Sequence, residues 1–404
     1  MRQESGRTPA VLIPAGLAIV ASTYGLARYA YGLFVPQIQS DYGLSVEIMG
    51  LIASGSYAGY LAATVLGSLM SGIAGPRLPI VLGGLAATAG MSVIAFSQGP
   101  WMLALGVVMA GASPGLAYPP LSDAVMKVIA EPQRNRTYAV INSGTSVGVI
   151  IAGPAALFAT GDWRMAWAVF AVFAGIATVW NAFLMPSEPY RHDFHPSAAR
   201  RAQAPLNWRW FLGESSNRLF VAAAVFGVVT AVYWTFAVDL LVKAGGLSTG
   251  QATAFWVLIG GFGLLGGLAG DLVRCHGLRR TFRTALIVIA FAIGGLTLAP
   301  TESIAGYTSG AIFGASFILL TGLFGIWSIN VFPDRPAVGF GATFFLISAG
   351  QLIGPAVAGL LAAKTSMAVA FQVAAVTCCL TTLLGPRRDL FSMSRDPAMH
   401  TEEA

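Results

Sequence analysis

Twelve apolar runs, each about 20 residues long or longer, constrain this chain more than any other feature. They cover 11–37, 48–72, 78–97, 101–125, 137–158, 164–185, 218–241, 250–273, 281–299, 304–330, 338–361 and 367–385. Wound as an α-helix at 1.5 Å per residue, such a run spans a hydrocarbon core of roughly 30 Å. The expected fold is therefore an all-α membrane protein with twelve transmembrane helices. Composition agrees: charged residues make up 10% of the chain, against about 25% in soluble domains, and the mean hydropathy is +0.71. The 48 Gly and 21 Pro lie largely inside the apolar runs, as expected where membrane helices pack closely and bend. The leading MRQESGR runs straight into the first apolar stretch, so no cleavable signal peptide is expected.

An even number of spans puts both termini on one side, and Lys and Arg set which side. The side with the termini and the even-numbered loops holds 19 of these residues, the opposite side only Arg164, Lys243 and Lys364, and Arg28 is left in the membrane. By the positive-inside rule both termini are cytoplasmic. A polar, basic linker at 186–217 divides the chain into six-helix halves, 1–185 and 218–404, the second ending in a short cytoplasmic tail. The halves repeat in parallel. GLS at 43–45 recurs at 246–248 and GAS at 111–113 recurs at 314–316, both at an offset of 203. Pro132 and Arg134 return as Pro333 and Arg335, and Gly153-Pro154 as Gly354-Pro355, at an offset of 201.

Two parallel six-helix repeats joined by a cytoplasmic linker resemble the major facilitator superfamily of secondary transporters. That superfamily's loop after span two resembles G-x-L-x-D-R-x-G-x-R-R, and GSLMSGIAGPR (67–77) and GDLVRCHGLRR (270–280) occupy that loop and its repeat. Both depart from it at the acidic position, which is Ser71 in one copy and Arg274 in the other; Asp271 is placed to substitute in part. GLARYAYGLFVPQI in span one also resembles the YbfB/YjiJ-like bacterial permeases. GQLIGP in span eleven keeps the family's G-x-x-x-G-P pattern, whereas GVIIAGP in span five carries an extra residue, so no transport direction follows.

Arg28 is the cation to explain. An arginine stays charged at any accessible pH and costs roughly 2.5–3.5 kcal/mol at a membrane helix centre. It lies about 15 Å from the end of its span, near the midplane where carriers of this type bind substrate. Arg28 maps to Ala231 in the repeat and has no twin. Tyr24 and Tyr31, at i−4 and i+3, are expected on its helical face, phenol hydroxyls and guanidinium together suiting a carboxylate. Pairing of Arg28 with an internal carboxylate is the alternative, but the only acids within the runs are Asp123, Asp239 and Asp271, all near span ends.

The resemblance implies that Tyr57, Ser113, Tyr118, Asn142, Ser146, Tyr233, Trp234 and Gln351 face the central cavity as substrate-binding candidates, although each alone also suits a helix-packing hydrogen bond. Tyr118-Pro119-Pro120 is expected to kink or open span four. Asp239 and Asp123 are the proton-coupling candidates, each with a structural ion pair as its alternative. Arg77, Asp271, Arg280, Arg134 and Arg335 are gating candidates, with helix capping and topology as the competing roles.

The expected function is alternating-access transport of a small organic anion, a carboxylate, across the bacterial inner membrane by a monomer coupled to protons. Its partners are that small molecule, protons and the lipid bilayer, with no nucleic acid. A drug/proton antiporter exporting lipophilic compounds and a non-transporting sensor or scaffold are the alternatives. No cofactor or metal is expected, because all four His fall in loops or the tail and the three Cys lack ligand spacing. An enzyme is not expected either, since no catalytic constellation lies in a span.

Overall fold

The computed structural model describes residues 9–158, 162–188, 213–333 and 336–387, and every regular element among them is helical. In chain order the helices are α1 (Val11–Tyr42), α2 (Val46–Ala74), α3 (Arg77–Ala95), α4 (Pro100–Val128), α5 (Arg136–Phe158), α6 (Trp163–Leu184), α7 (Glu214–Gly245), α8 (Thr249–His276), α9 (Leu278–Gly295), α10 (Ser303–Val331), α11 (Val338–Lys364) and α12 (Met367–Leu384). Among the described residues, all but α9 are long and apolar enough to cross a membrane. α9 has 18 residues and carries Arg279, Arg280 and Arg283 in its first two turns, which shortens its uncharged stretch. Several helices run past their apolar stretch, α1 reaching Tyr42 and α7 starting at Glu214, because backbone hydrogen bonding continues where hydropathy stops.

The repeat is visible in the backbone. α1 ends at Gly43 with φ 61°, and α7 ends at Gly246 with φ 65°. α2 and α8 likewise end at Gly75 and Gly277, with φ 80° and 78°. Glycine adopts this left-handed region without the Cβ clash that other residues meet, so the same stop recurs in each repeat.

α1 is not regular throughout. Residues Ala21–Tyr29 form a π-helical segment between two α-helical ones, Pro9–Val20 and Tyr31–Tyr42. The shift in register changes which carbonyls have backbone partners. The Ser22 and Thr23 hydroxyls donate to the carbonyls of Ala18 and Ile19, each at 2.8 Å. Gly25 and Gly148 bring α1 and α5 into backbone contact there. π segments often mark functional sites, and this one carries Arg28.

α4 remains helical through Pro114, Pro119 and Pro120, so the opening expected there does not occur. Neighbouring helices of a bundle can support such a helix despite the missing donors.

The first six helices meet the last six through α1–α7, α2–α11 and α5–α8. Contacts between them cluster toward the end away from the 185–213 connection, called the distal end below. There a Cβ on Gly32 would strike the Trp234 carbonyl and one on Gly50 the Pro355 carbonyl; at mid-depth one on Gly260 would meet the Ser146 carbonyl. Ser54 Oγ also accepts from the Ala356 amide at 3.2 Å. Toward the linker end, Tyr24, Tyr60, Tyr118, Tyr138 and Asn142 stay half-buried along the inner faces of α1, α2, α4 and α5.

Candidate functional site

Arg28 sits near the middle of α1 and is 6% exposed. Its Nη2 donates to Gln351 Oε1 of α11 at 2.8 Å. Four tyrosine rings surround the guanidinium: Tyr60 at 3.9 Å, Tyr57 at 4.7 Å, and Tyr24 and Tyr29 at 5.6 Å each. A desolvated cation–π contact is worth about 2 kcal/mol, so the rings offset much of the cost of holding this charge in a membrane. Arg28 makes no ion pair among the described residues, and its buried Nε has no acceptor.

A small cavity adjoins the guanidinium on its distal side, with Tyr29, Tyr31, Tyr57 and Trp234 in its walls. Trp234 of α7 stacks on Tyr29 with centroids 4.3 Å apart and meets Phe313 and Phe317 edge-on at 5.5 Å. Tyr31 lines the cavity, but its hydroxyl donates to the Met49 carbonyl at 3.2 Å. On the linker side a tyrosine-rich wall continues. The Tyr24 and Tyr60 hydroxyls share a hydrogen bond of 2.9 Å, Tyr118 donates to Asn142 Oδ1 at 2.8 Å, and Ser122 donates to Tyr138 at 3.2 Å.

Tyr29 and Tyr60 are site residues that sequence reasoning missed. Tyr60 is three residues from Tyr57 and shares its helical face, so that spacing was a usable signal. Tyr29 follows Arg28 directly, a position that α-helical periodicity turns aside. The π segment alters that period.

Other candidates lie elsewhere. Ser113 is fully buried and donates to the Ala110 carbonyl of its own helix at 2.6 Å. Ser146 faces the glycines of α8 at the α5–α8 crossing. Tyr233 is fully buried within the last six helices, stacked on Phe313 at 3.8 Å and sharing a 2.7 Å hydrogen bond with Ser309. Asp123 is half-buried and accepts from Ser71 Oγ at 2.5 Å. Asp239 is 1% exposed and paired with Lys243, one turn further along α7, at 2.9 Å. Lys243 also donates to Gln39 of α1, which makes a polar bridge between the halves at the distal end.

At the linker end Arg77 Nε donates to the Met185 carbonyl at 2.6 Å. Arg134 donates to the carbonyls of Ile129 and Met126 at 2.9 and 3.0 Å, capping the end of α4. Asp271 pairs with Arg274 of the same helix, and Arg280 is exposed. Arg335 lies outside the described residues.

Among the described residues, twelve helices pack as two sets of six that meet at one end over a polar site at mid-depth, the arrangement of a membrane transporter. The sequence matches the model of the Major Facilitator Superfamily over residues 17–348, and the chain belongs to that superfamily of secondary transporters. It is 24% identical to the transcription regulatory protein OpdE of Pseudomonas aeruginosa over 408 residues, covering 95% of this chain and 94% of that protein. The multidrug resistance protein MdtH of Yersinia pestis is 28% identical over 130 residues, 30% of this chain and 31% of the relative. Among solved structures, a bacterial homolog of the human lysosomal transporter Spinster, inward-facing and unoccupied, superimposes with a TM-score of 0.74 at 14% identity, covering 93% of this chain and 94% of that one. The nucleoside transporter NupG gives a TM-score of 0.74 at 11% identity, with 92% and 98% covered. At such identities the structures share the fold alone.

Proposed function

We propose that this carrier moves a small organic anion, a carboxylate, by alternating access, coupled to protons, across the bacterial inner membrane. The observation that carries the proposal is Arg28, a buried cation with aromatic rings and one amide for neighbours and no carboxylate paired with it. A guanidinium keeps unused N–H donors in this setting, and a carboxylate supplies both the charge and the acceptors. Arg28, Tyr24, Tyr29, Tyr57, Tyr60, Trp234 and Gln351 form the binding region, with Tyr118 and Asn142 on the approach from the linker end. Asp239 carries the proton: its carboxylate is neutralised in turn by Lys243 and by a proton as the distal bridge closes and opens. The chain acts as a monomer of two halves, 1–185 and 218–404, with both termini and the 186–217 linker cytoplasmic, as the charge asymmetry supports. On this orientation the structure is closed toward the periplasm. The likeness of span one to YbfB/YjiJ-like permeases fits a bacterial carrier.

The aromatic walls and the partial likeness to MdtH favour a second reading, export of lipophilic drugs. A thermal-shift screen of the purified protein against small carboxylates and typical efflux drugs separates the two, because a ligand bound by the folded form raises its melting temperature. Stabilisation by carboxylates that disappears in Arg28→Ala supports the anion carrier. Stabilisation by lipophilic cations that Arg28→Ala leaves intact supports export.

A further inference from the structure

Two residues that line the same cavity each carry a buried donor without an acceptor: Arg28 its Nε on α1 and Trp234 its Nε1 on α7. Arg28 is 6% exposed and Trp234 5%, so solvent does not satisfy either group. Burying a polar group without a partner is unfavourable, and two such donors at one cavity point to a shared acceptor. The helices bearing them are in direct contact. Gly32 packs on the Trp234 carbonyl, and the Tyr29 and Trp234 rings stack at 4.3 Å.

Charge limits the acceptor. Among the described residues Arg28 is the only Lys or Arg away from the first or last two turns of a helix, so the site matches one negative charge. A second charge on the ligand would be buried without a partner, at a large penalty. Shape limits it further. A carboxylate presents two oxygens in one plane and reaches donors on two helices at once, whereas a halide presents a single centre. The lining from Tyr29, Tyr57 and Trp234 is aromatic, with Tyr29 and Trp234 stacked on each other, so an apolar substituent of the ligand meets ring edges there.

We infer that Trp234 is a second anchor of the substrate site, and that the ligand is a monocarboxylate, aromatic acids included, bridged between Arg28 and the Trp234 indole N–H. This rests on the anion-carrier reading above and adds to it the ligand's single charge and the part played by the Trp234 N–H. The ligand ties α1 to α7 where the halves touch, so its arrival and departure act directly on the distal closure.

The test uses the purified full-length protein, isothermal titration with benzoate, and melting temperatures of each variant. Trp234→Phe keeps an aromatic ring but removes the donor. It is expected to weaken benzoate binding about tenfold, the order of one hydrogen bond to a charged group, with little change in melting temperature. Independently of any variant, the wild-type protein is expected to bind succinate and methyl benzoate at least about tenfold more weakly than benzoate, and sodium chloride is not expected to compete. Wild-type affinity in a folded Trp234→Phe protein overturns the second anchor. Equal or tighter binding of succinate, competition by chloride, or no benzoate binding by the wild-type protein overturns the monocarboxylate assignment. If Arg28→Ala loses binding while Trp234→Phe does not, the anion site survives and only the Trp234 inference fails. If Arg28→Ala binds benzoate normally, both fail.

Discussion

Arg28 and Gln351 are 323 positions apart in the chain, yet the guanidinium of one donates to the amide oxygen of the other at 2.8 Å. The bond joins α1 to α11 and satisfies one N–H of a cation that otherwise faces aromatic rings. A neutral amide holds this charge in place without neutralising it, so the site retains its preference for an anion.

Removing the cation tests this directly. Arg28→Ala is expected to weaken carboxylate binding by tens- to thousands-fold, as loss of a buried charge-assisted contact of roughly 2–5 kcal/mol implies. Arg28→Lys keeps the charge without the planar fork and is expected to fall between. Calorimetric affinity and melting temperature of the same preparations are the readouts. A large drop in melting temperature with unchanged affinity would instead mark Arg28 as a structural residue.

Gln351→Glu places a tethered carboxylate on Arg28. The variant is expected to melt several degrees higher than wild type without ligand and to lose most of its response to added carboxylate, since the built-in acid competes for the guanidinium. Unchanged carboxylate titrations in this variant would show that substrate does not use the Arg28 donors.

Gly32→Val pushes a side chain into the Trp234 carbonyl at the α1–α7 contact. Overpacking of this kind costs about 1–3 kcal/mol and is expected to disfavour distal closure. In a background without the native cysteines, a cysteine at Thr235, 3% exposed here, is then expected to react with a thiol reagent severalfold faster than in the Gly32 protein. Equal rates would mean that the contact does not control closure.

Asp239→Asn is expected to abolish gradient-driven accumulation in proteoliposomes while leaving counterflow exchange, because exchange needs no net proton movement. Asp123, which accepts from Ser71 far from Arg28, serves as the comparison. Full accumulation by the Asn variant would remove Asp239 from the coupling path.

Orientation is checked with native Cys275, which is exposed at the linker end, and Ser366→Cys at the distal end. An impermeant thiol reagent on intact cells is expected to label the second and spare the first. The reverse pattern would invert the topology.

Much of this architecture was legible in the chain because lipid acts on one residue property. Long apolar runs must become helices when no water is present to satisfy the backbone, so most of them follow from hydropathy, α9 with its three arginines being the weakest case. The repeat was visible for a related reason: Gly43 and Gly246 stop corresponding helices with the same left-handed turn, and that local demand preserves glycine. Arg28 stood out because a permanent charge in an apolar run is expensive wherever the helix sits. The site around it was only partly legible. Tyr31 was expected to direct its phenol beside Arg28, whereas its hydroxyl bonds to Met49, and Tyr29 joins the cage across a π-helical turn that no regular period describes.

From sequence alone came the helices, the recurring glycine stops and the buried Arg28, because each depends on local polarity or on backbone conformation near one residue. Tertiary structure decided the rest. It made Gln351 the partner of Arg28, brought Trp234 against Tyr29, joined Lys243 to Gln39 and closed the distal end through glycines that let backbones touch. These contacts join residues of different helices, and their geometry is set by how the helices pack, which hydropathy and helical period along one chain do not contain.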